Sequence, residues 1–181
     1  MNGITVITQS ALLADYCSSW RNATYVTVDT EFMREHTYWP KLCLIQVGGP
    51  DESVVIDPMA EGIDLAPFYD LLINEDVLKV FHAARQDVEL FHHLTGHVPM
   101  PLFDTQLAAM VCGFGDSVGY EKLAARLADA QIDKTVRFTD WARRPLTDRQ
   151  IVYAVADVSH LRPVYDKLSE QFVNGPAARA V

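Results

Sequence analysis

Four carboxylates and one tyrosine, spread over three segments, carry the chemistry legible in this chain. Asp29 and Glu31 lie in Val28-Asp29-Thr30-Glu31-Phe32, Asp87 in His82-Ala83-Ala84-Arg85-Gln86-Asp87, and Tyr153 and Asp157 in Tyr153-Ala154-Val155-Ala156-Asp157. Each segment can present its acid to hard divalent cations, which prefer oxygen ligands. Two such cations form a standard apparatus for phosphodiester cleavage.

Positioning these groups requires particular elements. Tyr25-Val26-Thr27-Val28 is aromatic and β-branched and reads as a strand. Residues two apart on a strand share a face, so Asp29 and Glu31 point the same way. Adjacent anions repel unless a cation or a proton intervenes. Val77–Phe81 reads as a buried strand and Arg85–Leu94 as a helix, with Asp87 in the first turn, where the helix dipole favours an anion. Thr147–Phe172 reads as a long helix capped by Thr147 with Gln150. Tyr153 and Asp157 stand one turn apart on it. Their face is expected to differ from the apolar stripe of Ile151, Val152, Val155, Val158, Leu161, Val164 and Leu168. Taken singly, each pattern is also met as a charged turn, a dipole complement or a surface Tyr–Asp pair. Their joint occurrence, in this order, favours a metal-dependent site.

Together these segments resemble the exonuclease domain of ribonuclease D, in the tyrosine-containing branch of the four-acid 3′-5′ exonucleases. Val28–Arg34, His82–Asp87 and Tyr153–Val158 are similar to that family's three motifs. The likeness extends through Tyr38–Gln46, Phe103–Gln106 and Asp133–Trp141. The resemblance implies an α/β chain with the ribonuclease-H-like fold, a mixed central sheet flanked by helices. It implies a metal-dependent 3′-5′ exoribonuclease that releases 5′ nucleoside monophosphates from single-stranded RNA 3′ ends, as in tRNA 3′ trimming or RNA turnover. Two cations, Mg²⁺ or Mn²⁺, would be held by Asp29, Glu31, Asp87 and Asp157. One cation would sit on Asp29, Glu31 and Asp157, the other on Asp29 with Asp87. Tyr153 would orient the attacking water, since a phenol with a reference pKa of about 10 is a poor base. Thr30, Phe32, Met33 and His82 are expected to contact the terminal nucleotide, with core packing an equal reading for Phe32 and Met33 and a satisfied strand-end histidine an equal one for His82. The alternatives are a DNA 3′-5′ exonuclease with the same acids, or a non-catalytic RNA-binding module.

Composition sets the outer bounds. The chain has 181 residues, 49% of them hydrophobic, enough for one domain with a sizeable core. Residues 1–172 are expected to form the exonuclease domain and 173–181 a flexible tail or the start of a linker. No membrane span or signal-peptide pattern is evident. Three cysteines without zinc spacing suit free thiols in a reducing cytoplasm. A net charge of −9 disfavours a general duplex binder. Lys134, Arg137, Arg143, Arg144 and Arg149 cluster before the third motif, where they could steer a phosphate backbone. His92, His93 and His97 receive no role, and Asp104 is expected to cap a helix rather than bind metal. Gly113-Phe114-Gly115 lacks the third glycine of a nucleotide fingerprint.

Overall fold

The computed structural model describes residues 3–34 and 38–174. Of the segment 173–181, read above as a flexible tail or linker start, residues 173 and 174 are helical and 175–181 lie outside the described residues. The strands are β1 (Val6–Ile7), β2 (Tyr25–Met33), β3 (Lys41–Gly48), β4 (Ser53–Ile56), β5 (Leu78–Phe81) and β6 (Leu102–Asp104). The helices are α1 (Ser10–Trp20), α2 (Ala66–Ile73), α3 (Arg85–Thr95), α4 (Thr105–Val111), α5 (Tyr120–Leu127) and α6 (Asp148–Asn174). A 3₁₀ turn covers Lys134–Val136.

One six-stranded mixed sheet runs in the order β1-β4-β3-β2-β5-β6. The short β2–β3 and β3–β4 connections give antiparallel pairs. β5 and β6 reach their neighbours through helical crossovers and pair parallel. This is the mixed sheet with flanking helices expected of the chain. The alternation of side chains along β2 divides the molecule. Val26 and Val28 enter one core with Leu13 and Trp20 of α1, Phe68 of α2 and Leu90 and Phe91 of α3. On the opposite face, Leu123 of α5 and Leu161, Val164 and Leu168 of α6 form a second core around Val80. A third cluster joins Cys43, Leu44 and Val55 to Trp141 and Ala154.

Gln9 holds the N-cap position of α1 without a side-chain hydrogen bond. Between α4 and α5 the chain leaves the helix from Val111 to Tyr120, across Gly113-Phe114-Gly115. Left-handed backbone at Gly113, Gly115 and Ser117 ends the run. The 3₁₀ turn was not foreseen. Lys79, within the buried strand β5, is fully buried. Its ammonium donates to the carbonyls of Asn74 and Val77, each at 2.7 Å, and to that of Met100. Those carbonyls make a charged residue tolerable there.

The long helix begins as expected. Thr147 N–H donates to Gln150 Oε1 at 2.9 Å, and Gln150 N–H donates to Thr147 Oγ1 at 3.2 Å. Its inward face is not the expected one. Ile151, Val152 and Val155 stay partly or largely exposed, while Ala154, Asp157, Val158, Leu161, Val164 and Leu168 are buried. Small Ala154 lets the helix approach the sheet, and this rotation brings Asp157 inward with the apolar stripe. Arg144 corrects a second expectation. Its Nε and Nη2 each lie 2.7 Å from Asp57, and Nη2 also donates to Cys43 O at 2.7 Å. This guanidinium ties the segment before α6 to the end of β4 and is not available to a phosphate.

The α6–sheet contact depends on Gly48. A Cβ there would lie 2.2 Å from Thr27 Oγ1 and 3.0 Å from Val158 O. Thr27 Oγ1 donates to that carbonyl at 2.8 Å, and Arg162 Nη1 donates to Gly48 O at 3.0 Å. Gly48→Ala should therefore cost about 1–3 kcal/mol by overpacking, read as a lower midpoint in urea unfolding. Adding Thr27→Ala should return part of the loss; an unchanged midpoint in Gly48→Ala would show that α6 does not rest on this contact.

Candidate active site

Asp29 and Glu31 emerge on the α6 side of β2, beyond Thr27, where the pairing of β2 with β5 stops. There they meet Asp157, and one carboxylate oxygen from each of the three lies within 4.8 Å of the others. Asp87 comes from the other side, in the first turn of α3. Thr30, between the two β2 acids, points to that side and its hydroxyl donates to Asp87 Oδ1. The strand thus delivers Asp29 and Glu31 to one partner and Thr30 to the other. All four acids line one cleft of about 500 Å³.

Backbone geometry holds the two helical acids in place. Ahead of α3, Ala83 adopts the left-handed conformation, at φ 55°, which costs about 1–2 kcal/mol for a residue with a Cβ. Asp104 offsets this by accepting from Ala83 N–H at 2.9 Å and Ala84 N–H at 3.0 Å. The same carboxylate caps α4 through Gln106 N–H at 2.8 Å. Asp104 is thus the expected helix cap, and it also clamps the turn that launches Asp87. On α6, Tyr120 donates its hydroxyl to the carbonyl of Asp157, and Thr27 to that of Val158. Both bonds fall just before Pro163, which interrupts the helix's own hydrogen bonding.

Electrostatics follow from the crowding. Burial first, then the charges of Asp157, Asp87 and Glu31, hold the Asp29 carboxyl well above the usual range. Burial raises Glu31 to about 8, with Asp157 adding to the shift and Arg137 opposing it. Asp157 is pushed up to about 7, again chiefly by burial, with Tyr153 and Arg137 pulling the other way. Burial takes Asp87 to about 6 against the Thr30 hydrogen bond. The Tyr153 phenol, beside Asp157 as its spacing on α6 requires, is raised by burial and by the surrounding acids and stays protonated. Burial lowers His82 from its ordinary value, leaving it neutral, with Nδ1 3.0 Å from Thr105 Oγ1.

The donor set fits divalent cations. Asp157 Oδ1 is buried and has no hydrogen-bond partner among the described residues. An unpaired buried carboxylate oxygen beside two further carboxylates is an arrangement that a cation stabilises and a proton only relieves.

Thr30, Phe32 and His82 line the cleft as well. Met33 does not; it packs against the cluster around Cys43, Leu44 and Trp141. Arg137 lines the cleft, whereas Arg149 pairs with Asp133 at 2.9 Å on the surface. His93 stacks on Trp39 with ring centroids 4.0 Å apart. Sequence reading missed Tyr120 and Phe138, both in the cleft wall. It also missed Gln46, which is fully buried, stands opposite Asp29 in the β2–β3 register, and has no partner for either amide atom among the described residues. A polar residue within the apolar run Leu42–Val47 was the available signal for Gln46. Nothing in the sequence distinguished Tyr120 from any helix-start tyrosine.

The chain resembles known proteins across nearly its whole length. The family described as 3′-5′ exonuclease matches residues 4–172. The ribonuclease D of Nitrobacter hamburgensis is 59% identical over 163 residues, covering 90% of this chain and 43% of the relative. That of Jannaschia sp. is 58% identical over 169 residues, covering 91% and 44%. Among solved structures, Escherichia coli RNase D superimposes with a TM-score of 0.89 at 37% identity, over 93% of this chain and 45% of that one. The chain therefore spans less than half the length of these relatives.

The raised carboxyl pKa values carry a stability consequence. The unfolded chain titrates these acids near pH 4, while the folded one holds their protons to about 6, 7 and 8 at Asp87, Asp157 and Glu31. Between those limits the folded state binds more protons, so stability falls as pH rises. The contribution is complete below about pH 4 and is lost through pH 8; His82, shifted down, opposes it with one group. Metal-free protein should therefore melt at a higher temperature at pH 5.5 than at pH 8. Asp157→Asn should flatten that slope and stabilise the metal-free protein at pH 8 by on the order of 2 kcal/mol. A melting temperature that rises steadily from pH 5.5 to 8 would refute this account.

Proposed function

Since the chain belongs to the 3′-5′ exonuclease family, we propose that it is a metal-dependent 3′-5′ exoribonuclease acting on single-stranded RNA 3′ ends. The observation that carries this reading is the convergence of Asp29, Glu31 and Asp157 within 4.8 Å in a cleft that also admits Asp87. A binding module has no use for carboxylates so placed, because they repel phosphate unless cations stand between. Likeness to proteins named ribonuclease D supports RNA as the substrate and tRNA 3′ trimming or RNA turnover as the role.

Asp29, Glu31 and Asp157 would hold one cation, and Asp29 with Asp87 a second, Mg²⁺ or Mn²⁺ being suited to carboxylate oxygens. Such cations supply the positive charge that activates a water and stabilises the departing oxygen. The chain's own groups do the rest. Tyr153 keeps its proton and orients the attacking water by hydrogen bonding. Thr30 fixes the Asp87 carboxylate, and Tyr120 fixes the turn that carries Asp157. Phe32 and His82 bound the space for the terminal nucleotide. Water adds to the last phosphorus, the bond to the preceding 3′ oxygen breaks, and that oxygen takes up a proton. A 5′ nucleoside monophosphate departs, leaving a strand one nucleotide shorter with a free 3′ hydroxyl.

Two measurements bear on this directly. RNA and DNA of matched sequence, labelled at the 5′ end, should be incubated with Mn²⁺, Mg²⁺ or EDTA. RNA should shorten one nucleotide at a time from the 3′ end, with no shortening in EDTA or with Asp157→Ala. Faster shortening of DNA would reassign the substrate, and no shortening of either under any metal would remove the enzyme reading. Separately, Mn²⁺ should raise the melting temperature of the metal-free protein, and Asp29→Asn should abolish most of the rise. An equal rise in both proteins would place the bound cation elsewhere.

A further inference from the structure

A polyanion must enter a cleft whose described walls carry five acids, Asp29, Glu31, Asp87, Glu121 and Asp157. Arg137 is the only lysine or arginine among the described lining residues. Its neighbours Arg144 and Arg149 are committed to Asp57 and Asp133. The Arg137 guanidinium forms no hydrogen bond or ion pair among the described residues and lies 5.6 Å from the centre of the Phe138 ring. Its charge is nonetheless felt at the catalytic acids, opposing the upward shifts of Glu31 and Asp157.

Phe138 is the unusual half of the pair. It is 89% exposed, lines the same cleft and joins none of the three apolar clusters. A phenyl ring left in water forgoes about 1.5–3 kcal/mol of burial. Here one face meets a guanidinium and the rest of the ring is open. An aromatic face beside a planar cation with unused donors matches the two parts of a nucleotide. The ring can stack on a base, and the fork can pair with a phosphate.

We infer that Arg137 and Phe138 form a clamp on the strand behind the terminal nucleotide, with Phe138 stacking on an upstream base and Arg137 pairing with the backbone phosphate beside it. The clamp rests on the exonuclease reading above and adds its selection for single strands. Bases in a duplex are stacked on one another and cannot offer a face to Phe138. The contact reads no base edge, so it is tolerant of sequence. Both residues act by positioning the strand, and neither is assigned a proton transfer.

The test is a cycle between protein and substrate changes. Single-stranded RNA oligonucleotides would carry either one neutral methylphosphonate or one abasic nucleotide, moved through the positions upstream of the scissile linkage. On unmodified RNA, Arg137→Ala should lower kcat/KM about 10- to 100-fold, mainly through KM. Phe138→Ala should lower it by about tenfold, and Phe138→Trp should keep most of the activity. The Arg137→Ala penalty should shrink to about twofold or less at one methylphosphonate position. The Phe138→Ala penalty should do the same at one abasic position. Melting temperatures of the variants would verify folding.

If the wild-type protein degrades RNA but both penalties persist at every modified position, the clamp is overturned and the exonuclease reading survives. If the wild-type protein degrades nothing, both fall. If Phe138→Ala changes the mass in solution by light scattering, the ring covers a contact between copies, and the clamp is again overturned.

Discussion

Repulsion among crowded, partly or fully buried carboxylates is the constraint on which the rest of this structure depends. Asp29, Glu31 and Asp157 approach within 4.8 Å of one another, and burial removes the water that would otherwise screen them. No packing advantage explains such a cluster; apolar residues of similar size would be more stable there. The arrangement becomes favourable only when positive charge arrives. The fold must therefore hold the acids together while they oppose it, and several otherwise unrelated features serve that end.

The opposing forces are met by backbone contacts more than by charge. Asp104 gathers three N–H groups, from Ala83, Ala84 and Gln106, and so fixes the strained turn before Asp87. Thr27 and Tyr120 grip successive carbonyls of α6 at Val158 and Asp157. Gly48 leaves the room that lets α6 come close enough for these bonds. Each device acts on main-chain atoms next to an acid, so the carboxylate oxygens remain free for other partners. The unpaired Asp157 Oδ1 is one outcome of this arrangement. Thr30 is the exception: it binds a carboxylate directly, and Asp87 is raised less than Asp157 or Glu31.

The legibility of this chain follows from how local each signal is. Strand alternation placed Asp29 and Glu31 on one face, and helical spacing placed Tyr153 above Asp157, because both depend only on periodicity. The Thr147–Gln150 cap was readable for the same reason. The buried face of α6 was misjudged because Ala154, small rather than strongly apolar, decides which side meets the sheet. Arg144 looked like part of a basic patch, since its partner Asp57 is distant in sequence and joined only by the fold. Tyr120 and Phe138 lay beyond reach because their significance comes entirely from what stands across the cleft, whereas Gln46 had a local signal in the apolar run around it.

Charge links the scale of the site to that of the chain. A net charge of −9 should discourage a polyanion, yet the family to which the chain belongs is one of nucleases. The conflict eases once charge is located rather than summed. Fields decay over about 8–10 Å at ordinary salt, so distant surface acids matter less than the groups lining the cleft. There the acids are partly neutralised by protons in the metal-free protein and would be over-neutralised by two divalent cations. The cleft would then change from repelling phosphate to attracting it on metal binding. Substrate entry and catalytic readiness would then share one cause, and a strand would meet a favourable field only in a site already able to cut it.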